Sequence, residues 1–147
     1  NNPKALYYVN KALAIDNENC LYWKRFASIN KSLHLFEEAE YGYRKAVEYG
    51  DYSLDTWLYW VDILQFLGEF ETGIQTLLQA AEYFPEEYEV EYRLAGLYYL
   101  IMEHEKMAFH FCNGLRLNYE NRAIIKDLFP TVWESQMIKN LIIQFKK

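Results

Sequence analysis

The side chains best suited to chemistry here are three histidines, two cysteines and several paired carboxylates, and their spacing argues against catalysis. His34, His104 and His110 stand at no i,i+4 interval from a second metal-type ligand in a zinc-like arrangement. The run Glu103-His104-Glu105 reads as a solvated turn between helices. Cys20 and Cys112 are too far apart in sequence to outline a metal site or a disulfide framework; they read as half-buried thiols in a reducing compartment. The six glycines are scattered, so no loop cradles phosphates, and no serine sits in a nucleophile elbow. Glu37-Glu38 and Glu86-Glu87 fall where helices begin, where carboxylates favour the helix dipole instead of sharing a catalytic pocket. No enzyme activity, metal or cofactor is expected.

Charge and hydropathy narrow the class further. The 147 residues suffice for one domain with a real core. Net charge is −6, which speaks against nucleic acid, since such binding rests on neutralising phosphates. Hydrophobic residues make up 52% of the chain, yet no apolar run is long enough to suggest a membrane span. No secretory signal is readable either, and a cytoplasmic setting is expected.

The elements that position everything else show in a period. Ala12, Ala46, Ala80 and Gly114 recur every 34 residues. Ala5, Ala39, Gly73 and Met107 keep step with them, and Val9, Tyr43, Leu77 and Phe111 run between. Small residues seven apart with a bulky one midway lie on one helical face and let another backbone approach closely. Upstream in each unit, Trp23 and Trp57 match, as do Phe26, Trp60 and Leu94, then Ala27, Val61 and Ala95. A fixed period of this length is the mark of a stacked helical repeat.

On these residues the chain resembles the tetratricopeptide repeat (TPR) family, whose unit is a helical hairpin of about 34 residues. The middle unit carries Trp57, Trp60, Val61, Leu64, Gly68, Gly73, Leu77, Ala80 and Pro85. Only Gly68 and Pro85 are family-type turn residues at their places; His34 and Met102 stand where the other units would have the glycine. The resemblance implies an all-α fold, a right-handed α-solenoid of antiparallel helical hairpins with a C-terminal capping helix.

In order, residues 3–17 read as a half repeat, a second helix whose first would lie upstream of residue 1. The expectation is therefore a piece of a longer TPR protein, with any targeting segment further upstream. Repeats follow at about 20–51, 54–85 and 88–119, with Asn19 and Ser53 as N-cap candidates. Residues 121–128 read as a fourth unit cut off by Pro130. Thr131 and Glu134 fit a capping box for a terminal helix over 131–146, ending in Lys146-Lys147. Such a helix would cover the last apolar face of the stack, and 1–147 is read as a single domain.

The resemblance also implies that the first helix of each hairpin lines a concave groove, a surface suited to a peptide. The inward positions are Lys24, Arg25, Ser28, Lys31 and Ser32 in the first unit and Asp55, Leu58, Tyr59, Asp62 and Phe66 in the second. The third contributes Glu89, Tyr92, Arg93, Gly96, Tyr99 and Leu100. Leu58 and Leu100 are expected in the core; Tyr59, Tyr92 and Arg93 lead as contacts, being residue types that dominate binding hot spots. Some TPR proteins grip acidic chaperone tails with a Lys/Asn/Asn/Lys/Arg clamp. Lys24 and Arg93 match it, but Ser28, Tyr59 and Glu89 do not, and Glu89 reverses the charge. The expected role is a protein-interaction scaffold for a peptide or protein of mixed charge with an aromatic or apolar anchor. The alternative is a structural segment that forms homo-oligomers or packs on neighbouring domains.

Overall fold

The computed structural model describes residues 2–146, and among them there are ten α-helices, one 3-10 turn and no strand. The helices are α1 (Asn2–Ile15), α2 (Cys20–Ser32), α3 (Phe36–Glu48), α4 (Leu54–Phe66), α5 (Phe70–Tyr83), α6 (Tyr88–Leu100) and α7 (His104–Leu117). A 3-10 turn at Tyr119–Asn121 leads into α8 (Ile124–Leu128), α9 (Pro130–Trp133) and α10 (Gln136–Lys146). The chain divides into two compact units, the first ending at Glu69 and the second beginning at Phe70.

In the first unit α1 packs on α2, α2 on α3 and α3 on α4. The 34-residue ladder is its core: Ala27, Ala39 and Ala46 are fully buried, with Val9 and Tyr43 between them. Gly42 marks the closest approach, since a Cβ there would stand 2.8 Å from Ala27 Cβ and 2.9 Å from Phe26 Cδ1. Asn19 caps α2, its Oδ1 accepting from the Leu21 and Tyr22 amides at 3.0 and 3.2 Å. Ser53 precedes α4 but its hydroxyl makes no capping bond. Asp51 braces the turn before α4 without capping it: its carboxylate accepts the Ser53 N–H at 2.9 Å and the Thr56 hydroxyl at 3.0 Å.

The inner turns share one device. After α2 the His34 amide donates to the Lys31 carbonyl and the Leu35 amide to the Asn30 carbonyl, with His34 at φ 60. The same pair of bonds surrounds Gly68 at φ 78 and, in the second unit, Met102 at φ 64. This is the left-handed closure of a helix C-terminus that glycine adopts at no steric cost. Two of the three equivalent turns therefore close on a side chain the period alone would not have placed there.

In the second unit α5 packs on α6 and α6 on α7, with α8 and α9 against α6 and α10 against α7. The tail departs from the expected single helix. Pro130 is the first residue of α9, Thr131 lies inside it without capping, and the helix ends at Trp133. Ser135 then starts α10, its hydroxyl accepting the Ile138 amide at 3.3 Å. The break lets Val132 and Ile138 both be fully buried, which one continuous helix of that pattern would not have to do. Lys146 ends α10 with its ammonium 4.5 Å from the Tyr119 ring centre; Lys147, expected beside it, lies outside the described residues.

Candidate functional site

Helical spacing decides which α2 side chains can meet. Lys24, Ser28 and Lys31 lie at i, i+4 and i+7, hence on one face. They line a surface pocket of about 480 Å³ together with Ser32, His34 from the turn, Tyr43 from α3 and Tyr59 from α4. The Ser32 hydroxyl is already committed to the Ser28 carbonyl at 3.2 Å. The Lys31 ammonium sits 5.9 Å from the centre of the Tyr59 ring, which is 41% exposed. Tyr43 forms the floor, its ring centre 5.9 Å from that of Tyr59. Burial, then the charge of Tyr59 and of Asp62, pushes the Tyr43 hydroxyl up to about 12.

No carboxylate lines this pocket. Among the described residues neither Lys24 nor Lys31 is within ion-pair distance of an acidic group, whereas Arg44 pairs with Glu40 at 3.1 Å and Lys45 with Glu48 at 3.2 Å. The α2 segment holds three cations and no acid. Arg25 stands apart from the pocket, lining a smaller one of about 260 Å³ with Tyr8 and Tyr22. Asp55 is exposed in the first turn of α4, and Phe66 at its end packs its ring 4.2 Å from Phe36. Leu58 is buried, as its core assignment requires.

The second unit treats its expected contacts differently. Tyr92 is fully buried: its hydroxyl donates to the Asn118 carbonyl at 2.8 Å and its ring lies 5.6 Å from Phe111. Burial is also the main reason its hydroxyl is held well above the usual tyrosine range. Arg93 is 7% exposed. Both were expected to face a ligand, and burial inside the unit removes them from that role. Gly96 offers no opening either, because a Cβ there would run into the Phe129 ring. Glu89 and Tyr99 keep partial exposure, Tyr99 with its ring edge on His104 at 5.3 Å.

Sequence reading did not anticipate two features. His34 and Tyr43 join the first pocket; the signal was there, since each departs from the residue its repeat equivalents carry, Gly68 and Leu77. In the second unit His110 Nδ1 lies 2.6 Å from a Glu91 carboxylate oxygen, which accepts its proton, and Asn113 donates to the same oxygen at 3.3 Å. His110 stacks on Tyr98 at 5.4 Å and Phe109 at 5.1 Å. Glu91 stands where Trp23 and Trp57 open the earlier repeats, so a polar pair replaces an indole.

Comparison with solved structures settles the architecture. MamA aligns with a TM-score of 0.76 at 14% identity, over 95% of this chain and 81% of that one. YrrB, described as a TPR protein with an unusual peptide-binding site, aligns at 0.70 and 14% identity over 99% and 83%. The chain has the fold of a TPR protein. MamA from Desulfovibrio magneticus supports the same TPR-type arrangement, with a TM-score of 0.71 at 13% identity over 99% and 86%. Neither family models nor curated proteins gave a match to the sequence. Among the described residues no helix is long and apolar enough to cross a membrane, and no three His, Cys, Asp or Glu side chains gather to hold a metal.

Proposed function

We propose that the chain is a protein-interaction scaffold that binds a peptide segment of a partner without catalysis, and that the first unit provides the contact. The observation that carries this is the pocket of α2, α3 and α4, lined by Lys24, by Lys31 with its ammonium 5.9 Å from the Tyr59 ring centre, and by that partly exposed ring itself. A rigid, partly exposed tyrosine is a residue type enriched in binding hot spots, and the lysines beside it add positive charge for an acidic ligand. Asp55, Asp62 and Phe66 on α4, and Arg25 apart from them on the other side of α2, suit a ligand of mixed charge with an aromatic or apolar anchor. Glu89 and Tyr99 form the remaining exposed part of the expected set. The free thiols Cys20 and Cys112 fit a reducing compartment, and we read 1–147 as one domain, which a single cooperative unfolding transition would support.

The test is selection of peptides from a phage-displayed library against the immobilised protein. Retained peptides are expected to lose affinity about tenfold or more on Tyr59→Ala combined with Lys24→Glu, and to keep it on the control Tyr83→Ala. Equal loss in both variants, or no retained peptide, counts against the reading.

Self-association is the second reading. Tyr7 and Tyr8 on α1 are 55% and 57% exposed, and Leu21 on α2 is 66% exposed. The Tyr7 and Tyr8 rings also touch, at 5.4 Å between centres, and exposed apolar side chains of this kind occur at association surfaces. Light scattering that gives one monomer mass across a hundredfold range of concentration would remove it.

A further inference from the structure

We infer that the pocket in the first unit is built for a phosphorylated side chain of the bound segment. The inference rests on the scaffold reading above and specifies its ligand. In a chain with 21 acidic and 15 basic residues, a pocket whose lining gathers Lys24 and Lys31 and no carboxylate is an exception, although Asp62 on α4 is near enough to act on the Tyr43 hydroxyl at its floor. Among the described residues neither ammonium group is within ion-pair distance of an acidic side chain, and Lys31 lies 5.9 Å from the Tyr59 ring centre. Two turns of α2 separate them, about 10 Å along the axis, with Ser28 between them in the lining and Tyr59 contributed by α4.

That arrangement matches a dianion better than a carboxylate. A phosphate monoester carries close to two negative charges and three acceptor oxygens, enough to engage both ammonium groups and a hydroxyl together. A carboxylate balances one cation and leaves the other unpaired. Lysine serves phosphate as a point charge, so two of them can converge on one dianion from different directions. His34 adds an imidazole to the lining of the same pocket from the turn after α2.

The experiment uses the full chain and three degenerate peptide libraries fixed centrally on phosphoserine, serine or glutamate, read by fluorescence anisotropy. The phosphoserine library should bind about tenfold or more above the other two, and more weakly as salt is raised. Lys24→Ala with Lys31→Ala should abolish the preference while circular dichroism stays unchanged, since Lys31 is exposed and Lys24 partly so. Lys31→Arg should retain it. Equal binding of phosphoserine and glutamate, or a preference that survives the double substitution, overturns the inference. Inorganic phosphate competing at the peptide's own concentration would overturn it in favour of a free-ion site. Stronger binding to vesicles containing phosphoinositides would overturn it in favour of a membrane. If all three libraries bind alike and Tyr59→Ala still releases them, the phosphate assignment fails and the scaffold stands. If none binds and phage selection is also empty, both fail.

Discussion

The first and third hairpins occupy equivalent places in the period, yet one keeps its inner face open and the other fills it. Positions 68 residues apart make the contrast: Lys24 against Tyr92, Ser28 against Gly96, Lys31 against Tyr99, Tyr43 against Phe111. In the first, cations and hydroxyls border a pocket. In the second, Tyr92 turns inward beneath Gly114 while the tail brings Phe129 onto Gly96. In the third hairpin the helix face expected to meet a ligand is the seat of the chain's own terminal segment. Repetition thus fixes the scaffold, and the residues that break the repetition decide which face remains available.

The largest test of this contrast removes the plug. Phe129 is 3% exposed, and Phe129→Ala should destabilise the protein by about 3–5 kcal/mol, the range for deleting a buried phenyl ring. Urea unfolding followed by circular dichroism reads the cost. An effect below about 1 kcal/mol would mean that the tail contributes little to the second unit.

Next comes the seat of Tyr92. A Cβ at Gly114 would stand 2.5 Å from Tyr92 Cε1, so Gly114→Ala should cost about 1–3 kcal/mol from overpacking, despite the roughly 1 kcal/mol that alanine gains over glycine within a helix. The first hairpin tolerates Ala46 at the matching position because its counterpart of Tyr92 is Lys24, an open pocket residue. Tyr92→Leu should therefore recover most of the loss in the double variant, giving a coupling energy of about 1 kcal/mol or more in a thermodynamic cycle. Strict additivity of the two substitutions would contradict that account.

The fold was legible because the period is carried by core residues. Ala27, Ala39, Ala46, Leu77, Ala80 and Phe111 recur at fixed spacing and are the ones buried most completely. Their role depends on size and helical face alone, which sequence displays directly. The available surface was less legible. Tyr92 and Arg93 have the composition of contact residues, but their burial follows from Gly114 and from a tail whose path is set by Pro130 and Ser135. Those constraints act across long stretches of chain and leave no periodic trace. The Glu91–His110 pair escaped notice for the same reason, since 19 residues separate its members.

Alkaline pH should expose the two buried phenols. Tyrosines of the unfolded chain ionise near 10, whereas Tyr43 in the fold ionises near 12 and Tyr92 higher than usual too. Their neutral forms thus favour the fold in full below about pH 10, and that contribution is lost as pH rises through the folded values. From pH 9 to 11 the stability should fall by about 1–2 kcal/mol, and Tyr43→Phe should flatten part of the slope. A slope unchanged by that substitution would place the titration elsewhere.

The smallest expected effect separates strain from function in the inner turns. His34 and Met102 both hold left-handed backbone, at φ 60 and 64, where Gly68 does so freely. Converting either to glycine relieves steric cost in the fold but gives the unfolded chain more freedom, so each change should stabilise by no more than about 0.5–1 kcal/mol. The two turns differ in what they border: His34 lines the cationic pocket, and Met102 is 75% exposed. If His34 is retained only for closure, His34→Gly and Met102→Gly should be alike in every measurement. If its imidazole belongs to the open face, the two will match in thermal stability while only His34→Gly weakens peptide binding.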